Sequence, residues 1–195
     1  AAPKAAVHAV YGSTEAEPIA HLELKEISSA DWEAMASGAG LLAGKPIAEI
    51  DVDIRDHEVF VAGEHVNRGY LDPGDDKSTK SVSGGKLWHR TGDAARLDER
   101  GRLWLLGRRE AASGGLFPFA IETAALSWPG VRQAALLAGD VRAKLALAGD
   151  SLDQSALQQR ATQLGPIDVI LLAEVPMDKR HNSKADYARL KKMLA

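Results

Sequence analysis

Trp88-His89-Arg90-Thr91-Gly92-Asp93-Ala94-Ala95-Arg96-Leu97-Asp98-Glu99-Arg100-Gly101-Arg102-Leu103-Trp104-Leu105-Leu106-Gly107-Arg108-Arg109-Glu110 is the stretch on which the reading of the fold turns. Its turn cluster, Asp98-Glu99-Arg100-Gly101, separates two short runs rich in apolar residues, the pattern of a β-hairpin. Asp93 follows Gly92 where the first strand begins, and Arg108 follows Gly107 where the second ends. A hairpin with its turn at one end brings its outer ends together, so the pattern places Asp93 near Arg108. Such a pair suits a hydroxylated ligand; it equally suits an ordinary hairpin with solvated charges at its ends.

Upstream, residues 5 to 10 read as a short buried strand running into Tyr11-Gly12-Ser13-Thr14-Glu15. Small hydroxyl residues and backbone amides at a strand tip admit a phosphate. Tyr11 offers a flat face for a base, and Glu15 a hard oxygen ligand for Mg²⁺. A turn leading to a helix capped by Ser13 or Thr14 is the competing reading. Ser29 to Glu33 looks like the start of a helix that ends at Ser37 to Gly40. Strand patterns follow over Ile47 to Ile54, Glu58 to Ala62 and Val66 to Leu71, with turns at Arg55-Asp56-His57 and Asp72 to Asp76. Together they predict a small, mainly antiparallel sheet or partial barrel. His57, His65 and His89 are too scattered for a metal site and read as surface or structural residues.

Downstream, Arg109 to Gly115 marks a change from strand-rich to mixed composition, and the boundary between two domains, 1–109 and 110–195, is placed there. Pro118 to Leu126 reads as a helix with Ile121, Ala125 and Leu126 on one face, ended by Trp128-Pro129-Gly130-Val131. Strands over Val131 to Leu137, Lys144 to Ala148 and Ile167 to Leu172, an amphipathic helix over Leu152 to Leu164 and a last helix over Asp186 to Leu194 complete an α+β unit. Before that last helix, Pro176 to Lys184 crowds cationic side chains into one loop, where a lysine can act on a carboxylate or phosphate; a basic solvated loop is the alternative.

The 195 residues carry a formal net charge of −3 and no cysteine. The charge balance gives no reason to expect nucleic acid as partner, and disulfides and thiolate metal sites are excluded. No apolar run approaches the ~20 residues needed to cross a bilayer, so no membrane span is expected, and the cytoplasm is the expected location. Because Ala1 stands without methionine just before a strong motif, the chain is expected to be the C-terminal piece of a longer protein.

In order and spacing, Tyr11 to Glu15, Gly63 to Leu71 with Gly69-Tyr70, Thr91-Gly92-Asp93, Gly107-Arg108, Pro118 with Ile121-Glu122, and Lys184 resemble the acyl-adenylate-forming superfamily, which includes acyl-CoA synthetases, luciferases and adenylation domains of peptide synthetases. The resemblance implies the C-terminal part of such an enzyme: an antiparallel β-rich remnant of the large N-terminal domain, then a small α+β lid domain. It implies activation of a carboxylic acid with ATP and Mg²⁺ to acyl-AMP and pyrophosphate. Tyr11 would stack on adenine, with Gly12 and Ser13 beside it in the nucleotide-binding motif. Thr14 would contact the α-phosphate and Glu15 would ligate Mg²⁺. Asp93 would accept hydrogen bonds from the ribose hydroxyls, with Arg108 on the same sugar, and Lys184 would be the catalytic cation between carboxylate and phosphate. The lid would swing about Glu110.

Two departures qualify the resemblance. Glu110 to Pro118 is shorter than usual in the family and has Ala111, Ala112 and Ser113 where a lysine is common, which puts a CoA-dependent step in doubt. Asp178-x-Arg180-His181-Asn182-x-Lys184 resembles the subgroup that closes β-hydroxy acids into β-lactones in long-chain olefin biosynthesis. The upstream phosphate loop and acyl pocket of the family have no counterpart here, so the missing N-terminal part is an expected partner. A chain inactive alone, a partner-binding module and an incomplete nucleotide site all remain readings of what is present.

Overall fold

The computed structural model describes residues 5–139, 141–178 and 184–194, which form an α+β chain of two compact units. The first unit draws on Ala1–Glu33 and Leu41–Glu110, the second on Ala34–Gly40 and Ala111–Ala195.

The first unit holds β1 (His8–Ser13), β2 (Ala16–Glu23), the start of α1 (Ser29–Ala36), β3 (Leu41–Pro46), β4 (Ile50–Arg55), β5 (Glu58–Gly63), α2 (Pro73–Thr79), β6 (Lys80–Ser83), β7 (Lys86–Leu97) and β8 (Leu103–Arg108). Its sheet runs β1-β2-β3-β8-β7-β5-β4, with β6 also paired to β7, and every pairing is antiparallel. The core lies at β5 and β8, whose runs Val59-Phe60-Val61-Ala62 and Leu103-Trp104-Leu105-Leu106 are buried throughout rather than on alternate residues. At the tip of the β7–β8 hairpin Gly101 takes φ +71°, and the Asp98 carboxylate accepts from the amides of Arg100 and Arg102, each at 2.9 Å. Arg102 then reaches Asp31 in α1 through two bonds of 2.7 and 3.1 Å, with side chains only 13% and 7% exposed.

Four expectations for this unit are corrected. The first strand starts later, at His8, and His8 to Val10 are exposed rather than buried, because β1 is an edge strand that, among the described residues, pairs with β2 alone. Strands β2 and β3 were not expected. Val66 to Leu71 is irregular: the Gly69 amide donates to Asn67 Oδ1 at 2.9 Å and the Tyr70 amide to Asp76 Oδ1 at 3.0 Å, so side chains take the bonds a strand neighbour would need. The cluster from Asp72 to Asp76 is the capped start of α2, with Asp72 Oδ1 accepting from the Gly74 amide at 2.8 Å and Pro73 in the first turn.

The second unit holds α3 (Pro118–Leu126), β9 (Val131–Leu137), β10 (Ala143–Gly149), α4 (Gln154–Leu164), β11 (Ile167–Leu171) and α5 (Tyr187–Met193). Its three strands run β11-β10-β9, with β10 parallel to β11 and antiparallel to β9. The two-residue period of β10 assigns its faces. Leu145 and Leu147 join residues of α3 and α4 in the larger core, whereas Ala146 and Ala148 form the other face with Val175 and Leu190 of α5. Small alanines there leave room for a short helix. In α3 the buried residues are Pro118, Ala120, Ile121, Glu122, Ala124 and Ala125. Leu126 was expected among them but is 50% exposed, because five residues turn a helix about 140° past a full circle.

Candidate functional site

Tyr11 to Glu15 forms a hairpin tip, with Ser13 paired to Ala16 and Thr14 and Glu15 as the turn between β1 and β2. No helix follows, so the reading of Ser13 or Thr14 as a helix cap is overturned. Gly12 is required by close approach: a Cβ there would lie 2.9 Å from the Ala16 carbonyl oxygen and 3.1 Å from Glu17 Cα. Thr14 is exposed and Glu15 partly buried.

Strand β7 carries Asp93 beneath this tip. The Tyr11 hydroxyl donates to Asp93 Oδ2 at 3.0 Å, and Arg108 Nη1 stands 3.4 Å from Asp93 Oδ1 while donating to the Thr91 carbonyl at 2.9 Å. Asp93 and Arg108 are direct cross-strand partners in the β7–β8 register. Thr91 fixes the local backbone, its hydroxyl donating to the Val59 carbonyl and accepting from the Asp93 amide, both at 3.1 Å. Burial, and then the Asp93 charge, push the Tyr11 hydroxyl well above its usual range, so it stays a neutral donor.

A second cluster surrounds Glu15. The Tyr70 hydroxyl donates to Glu15 Oε1 at 2.9 Å, and the Asn67 amide to the Glu15 carbonyl at 2.7 Å. Burial raises the Glu15 carboxyl, but hydrogen bonds, that from Tyr70 first, outweigh it and leave it below its ordinary value, hence ionised. Lys80 lies over the Tyr70 ring, 5.4 Å from its centroid, and donates to the Asn67 carbonyl. Its ammonium is held below the usual range by burial, against the charges of Asp76 and Glu15. His89, 3% exposed, is held down by burial and by Lys80. Sequence reasoning assigned no role to the Tyr70 hydroxyl, Lys80 or His89 as neighbours of Glu15; they stand 55 or more residues away along the chain and only the fold brings them there.

Lys184 belongs to the second unit and is exposed. Its carbonyl accepts from the Asp178 amide at 2.7 Å, next to the bridge between Met177 and Ala185. Arg180, His181 and Asn182 of the tail motif lie outside the described residues. The chain passes from the first unit to the second between Glu110 and Ala111. Ser113 and Leu116 then close a tight turn through mutual backbone bonds of 3.0 and 2.9 Å over Gly114 and Gly115. Among the described residues no group of three or more acidic or histidine side chains forms a metal cluster, and no helix is long and apolar enough to cross a membrane.

The chain is similar to a 2-succinylbenzoate–CoA ligase of Bacillus cereus (strain ZK / E33L), at 33% identity over 67% of this chain and 28% of that protein. It is also similar to an olefin beta-lactone synthetase of Stenotrophomonas maltophilia (strain K279a), at 27% identity over 92% of this chain and 40% of the relative. The chain thus spans well under half the length of these curated relatives. The structure of the amide bond synthetase McbA from Marinactinospora thermotolerans shares the fold with a TM-score of 0.76 and 23% identity, covering 96% of this chain and 42% of that one. No family model matches.

Proposed function

The chain belongs to the acyl-adenylate-forming superfamily, and on that premise we propose that it supplies the nucleotide floor and the lysine-bearing part of an enzyme that converts a carboxylic acid and ATP into acyl-AMP and pyrophosphate. The observation that carries this reading is the cluster of Tyr11, Asp93 and Arg108. It sets a phenol, a carboxyl group and a guanidinium side by side at the open end of the β7–β8 hairpin.

Each residue has a task within that reading. Asp93 accepts from the two ribose hydroxyls with its carboxylate oxygens, each of which offers more than one acceptor position. The ring of Tyr11, held by its hydroxyl, offers a face to adenine, and Arg108 borders the same sugar. Gly12 and Ser13 bring the β1–β2 tip close to the nucleotide, and Thr14 donates its hydroxyl to the α-phosphate. Glu15 fits Mg²⁺ because its carboxylate is hard and ionised and Mg²⁺ is commonly held by one or two carboxylates with substrate phosphates. The metal, when bound, supplies positive charge where two anions must meet. Lys184 places its ammonium between the substrate carboxylate and the α-phosphate, stabilising charge as the carboxylate oxygen displaces pyrophosphate.

For the second step we favour closure of a β-hydroxy acid. The hydroxyl oxygen attacks the acyl carbon, the bond from that carbon to the phosphate oxygen breaks, AMP leaves, and the hydroxyl proton is lost. Support comes from the tight Ser113–Leu116 turn, which has no lysine and little length, and from similarity to a beta-lactone synthetase over 92% of the chain. Transfer to CoA from a plain fatty acid is the second reading, favoured by the higher identity to a CoA ligase. In the complete enzyme, Lys184→Ala is expected to abolish pyrophosphate release while ATP still binds; unchanged release would overturn the assignment. Assaying β-hydroxy and plain fatty acids with and without CoA separates lactone from thioester. ATP-pyrophosphate exchange by this chain alone tests the remaining possibility, a module without catalysis.

A further inference from the structure

A buried acid in the second unit stands outside the nucleotide site, yet it is tied to the segment that carries Lys184. Glu122 of α3 is 9% exposed. Its Oε1 accepts from the Leu136 amide of β9 at 2.8 Å and from the Tyr187 hydroxyl of α5 at 2.7 Å. A buried carboxyl is costly unless its bonds are made, and these two bonds join three elements through one oxygen.

Tyr187 is the first residue of α5, three positions after Lys184. Helix α5 spans seven residues, too few for stability of its own, so its placement comes from tertiary ties. Only Leu190 is buried within it. Ala185 and Leu194 pack on the same cluster just outside the helix, but within α5 a single buried side chain leaves its rotation loosely set. Tyr187 lies three residues earlier on the same side, and its bond to Glu122 supplies the second anchor. At the other end Lys144 Nζ donates to the Leu194 carbonyl at 2.7 Å. Upstream of α5, the Asp186 amide donates to the Pro176 carbonyl at 2.7 Å, and the Asp186 carboxylate caps the helix by accepting from the Arg189 amide at 2.9 Å. Ala185 bridges Met177, so the backbone of Lys184 is held between that bridge and the capped helix.

We infer that Glu122 and Tyr187 are positioning residues for Lys184: their hydrogen bond sets the rotation of α5 and with it the direction in which the Lys184 backbone presents its ammonium. This rests on the role proposed above for Lys184. A lysine needed only while the acid is being adenylated makes the strut matter for that step and not for the next.

The test compares Tyr187→Phe, Glu122→Gln and Lys184→Ala in the complete enzyme. Adenylation is followed by pyrophosphate release, and the second step by consumption of pre-formed acyl-adenylate. Tyr187→Phe is expected to lower kcat for adenylation about tenfold, with KM for ATP and consumption of acyl-adenylate unchanged, as suits a small displacement of a catalytic group. Glu122→Gln retains an oxygen that can accept both bonds and is expected to stay within twofold of the parent. Tryptic cleavage after Lys184 in the folded protein is expected to quicken in Tyr187→Phe and not in Glu122→Gln. Parental adenylation by Tyr187→Phe, beside an inactive Lys184→Ala, would overturn the positioning role and leave the reading of Lys184 intact. Equal loss in both steps would reduce the bond to a structural one and overturn it too. An active Lys184→Ala would remove the reading of Lys184 and the positioning role with it.

Discussion

Asp93 and Arg108 face each other across β7 and β8 as register partners, with Arg108 Nη1 3.4 Å from Asp93 Oδ1 and 2.9 Å from the Thr91 carbonyl. The carbonyl bond is the shorter, so Arg108 is oriented by the backbone and its side chain borders Asp93. An ion pair this open to solvent contributes little to stability. Its interest lies in where it sets the Asp93 carboxyl, beside both Arg108 and the Tyr11 hydroxyl.

Asp93→Asn therefore should fold normally and bind ATP poorly. The amide oxygen still accepts from Tyr11, but the negative charge that would strengthen the two proposed ribose bonds is gone. Loss of charge-assisted hydrogen bonding of about 1.5–3 kcal/mol corresponds to ATP affinity weaker by about 10- to 150-fold. Calorimetric titration of the complete enzyme with ATP measures it, and parental affinity would remove Asp93 from the nucleotide site.

Gly92→Ala should damage the same pair through the backbone. Gly92 takes φ +72°, and a Cβ there would sit 3.3 Å from Arg108 Nη1. Strain in the left-handed region costs about 1 kcal/mol, and the guanidinium must move aside. Urea denaturation should report the loss of stability, and ATP titration a weaker Kd. A variant as stable as the parent would show that this point of β7 tolerates a side chain.

The hairpin was legible because its signals are local: a turn cluster of Asp and Gly between two apolar runs specifies the pairing of residues on either side. That a strand ends in Tyr11 to Glu15 was legible for the same reason, but the hairpin which this tip closes was not. Strand β2 was not, since its buried positions Ala16, Ile19, Ala20 and Leu22 break the two-residue alternation. The strand expected over Val66 to Leu71 failed because Asn67 and Asp76 side chains satisfy its amides, which no periodicity reports. Partners were hardest. Tyr70 meets Glu15 across 55 residues and Arg102 meets Asp31 across 71, so only the completed sheet brings them together.

That second pair, with Asp98 beside it, should contribute to the acid stability of the first unit. Arg102 holds the Asp31 carboxyl well below the usual carboxylate range. Burial pushes Asp98 up, but bonds from Trp104 and Arg102 outweigh it and bring it to about 2 from an ordinary 3.8. Folded values below unfolded ones mean stability that is full above pH 3.8 and lost as the pH falls through about 2. Arg102→Met should cost about 3 kcal/mol near neutrality, because it strands buried Asp31. It should also flatten the decline in acid. Urea midpoints between pH 5 and pH 2 check both; a variant with the parent's acid slope would refute the linkage.

Glu122 should give the opposite dependence. Burial raises its carboxyl above the ordinary 4.5, although bonds from Tyr187 and the Leu136 amide pull it down. A folded value above the unfolded one means a stability contribution that is full below pH 4.5 and lost as the pH rises through the raised value, where folding must bury a charge. Gln accepts the same two bonds and carries no charge. Glu122→Gln should therefore match the parent near pH 4 and exceed it near pH 8, with a flatter profile between. Burial also drives the Tyr187 hydroxyl far above its usual range, so it remains a donor throughout. Thermal unfolding in buffers from pH 4 to pH 8 provides the measurement. A glutamine variant less stable than the parent at pH 8 would show that the ionised carboxylate, and not merely its hydrogen bonds, holds α5 in place.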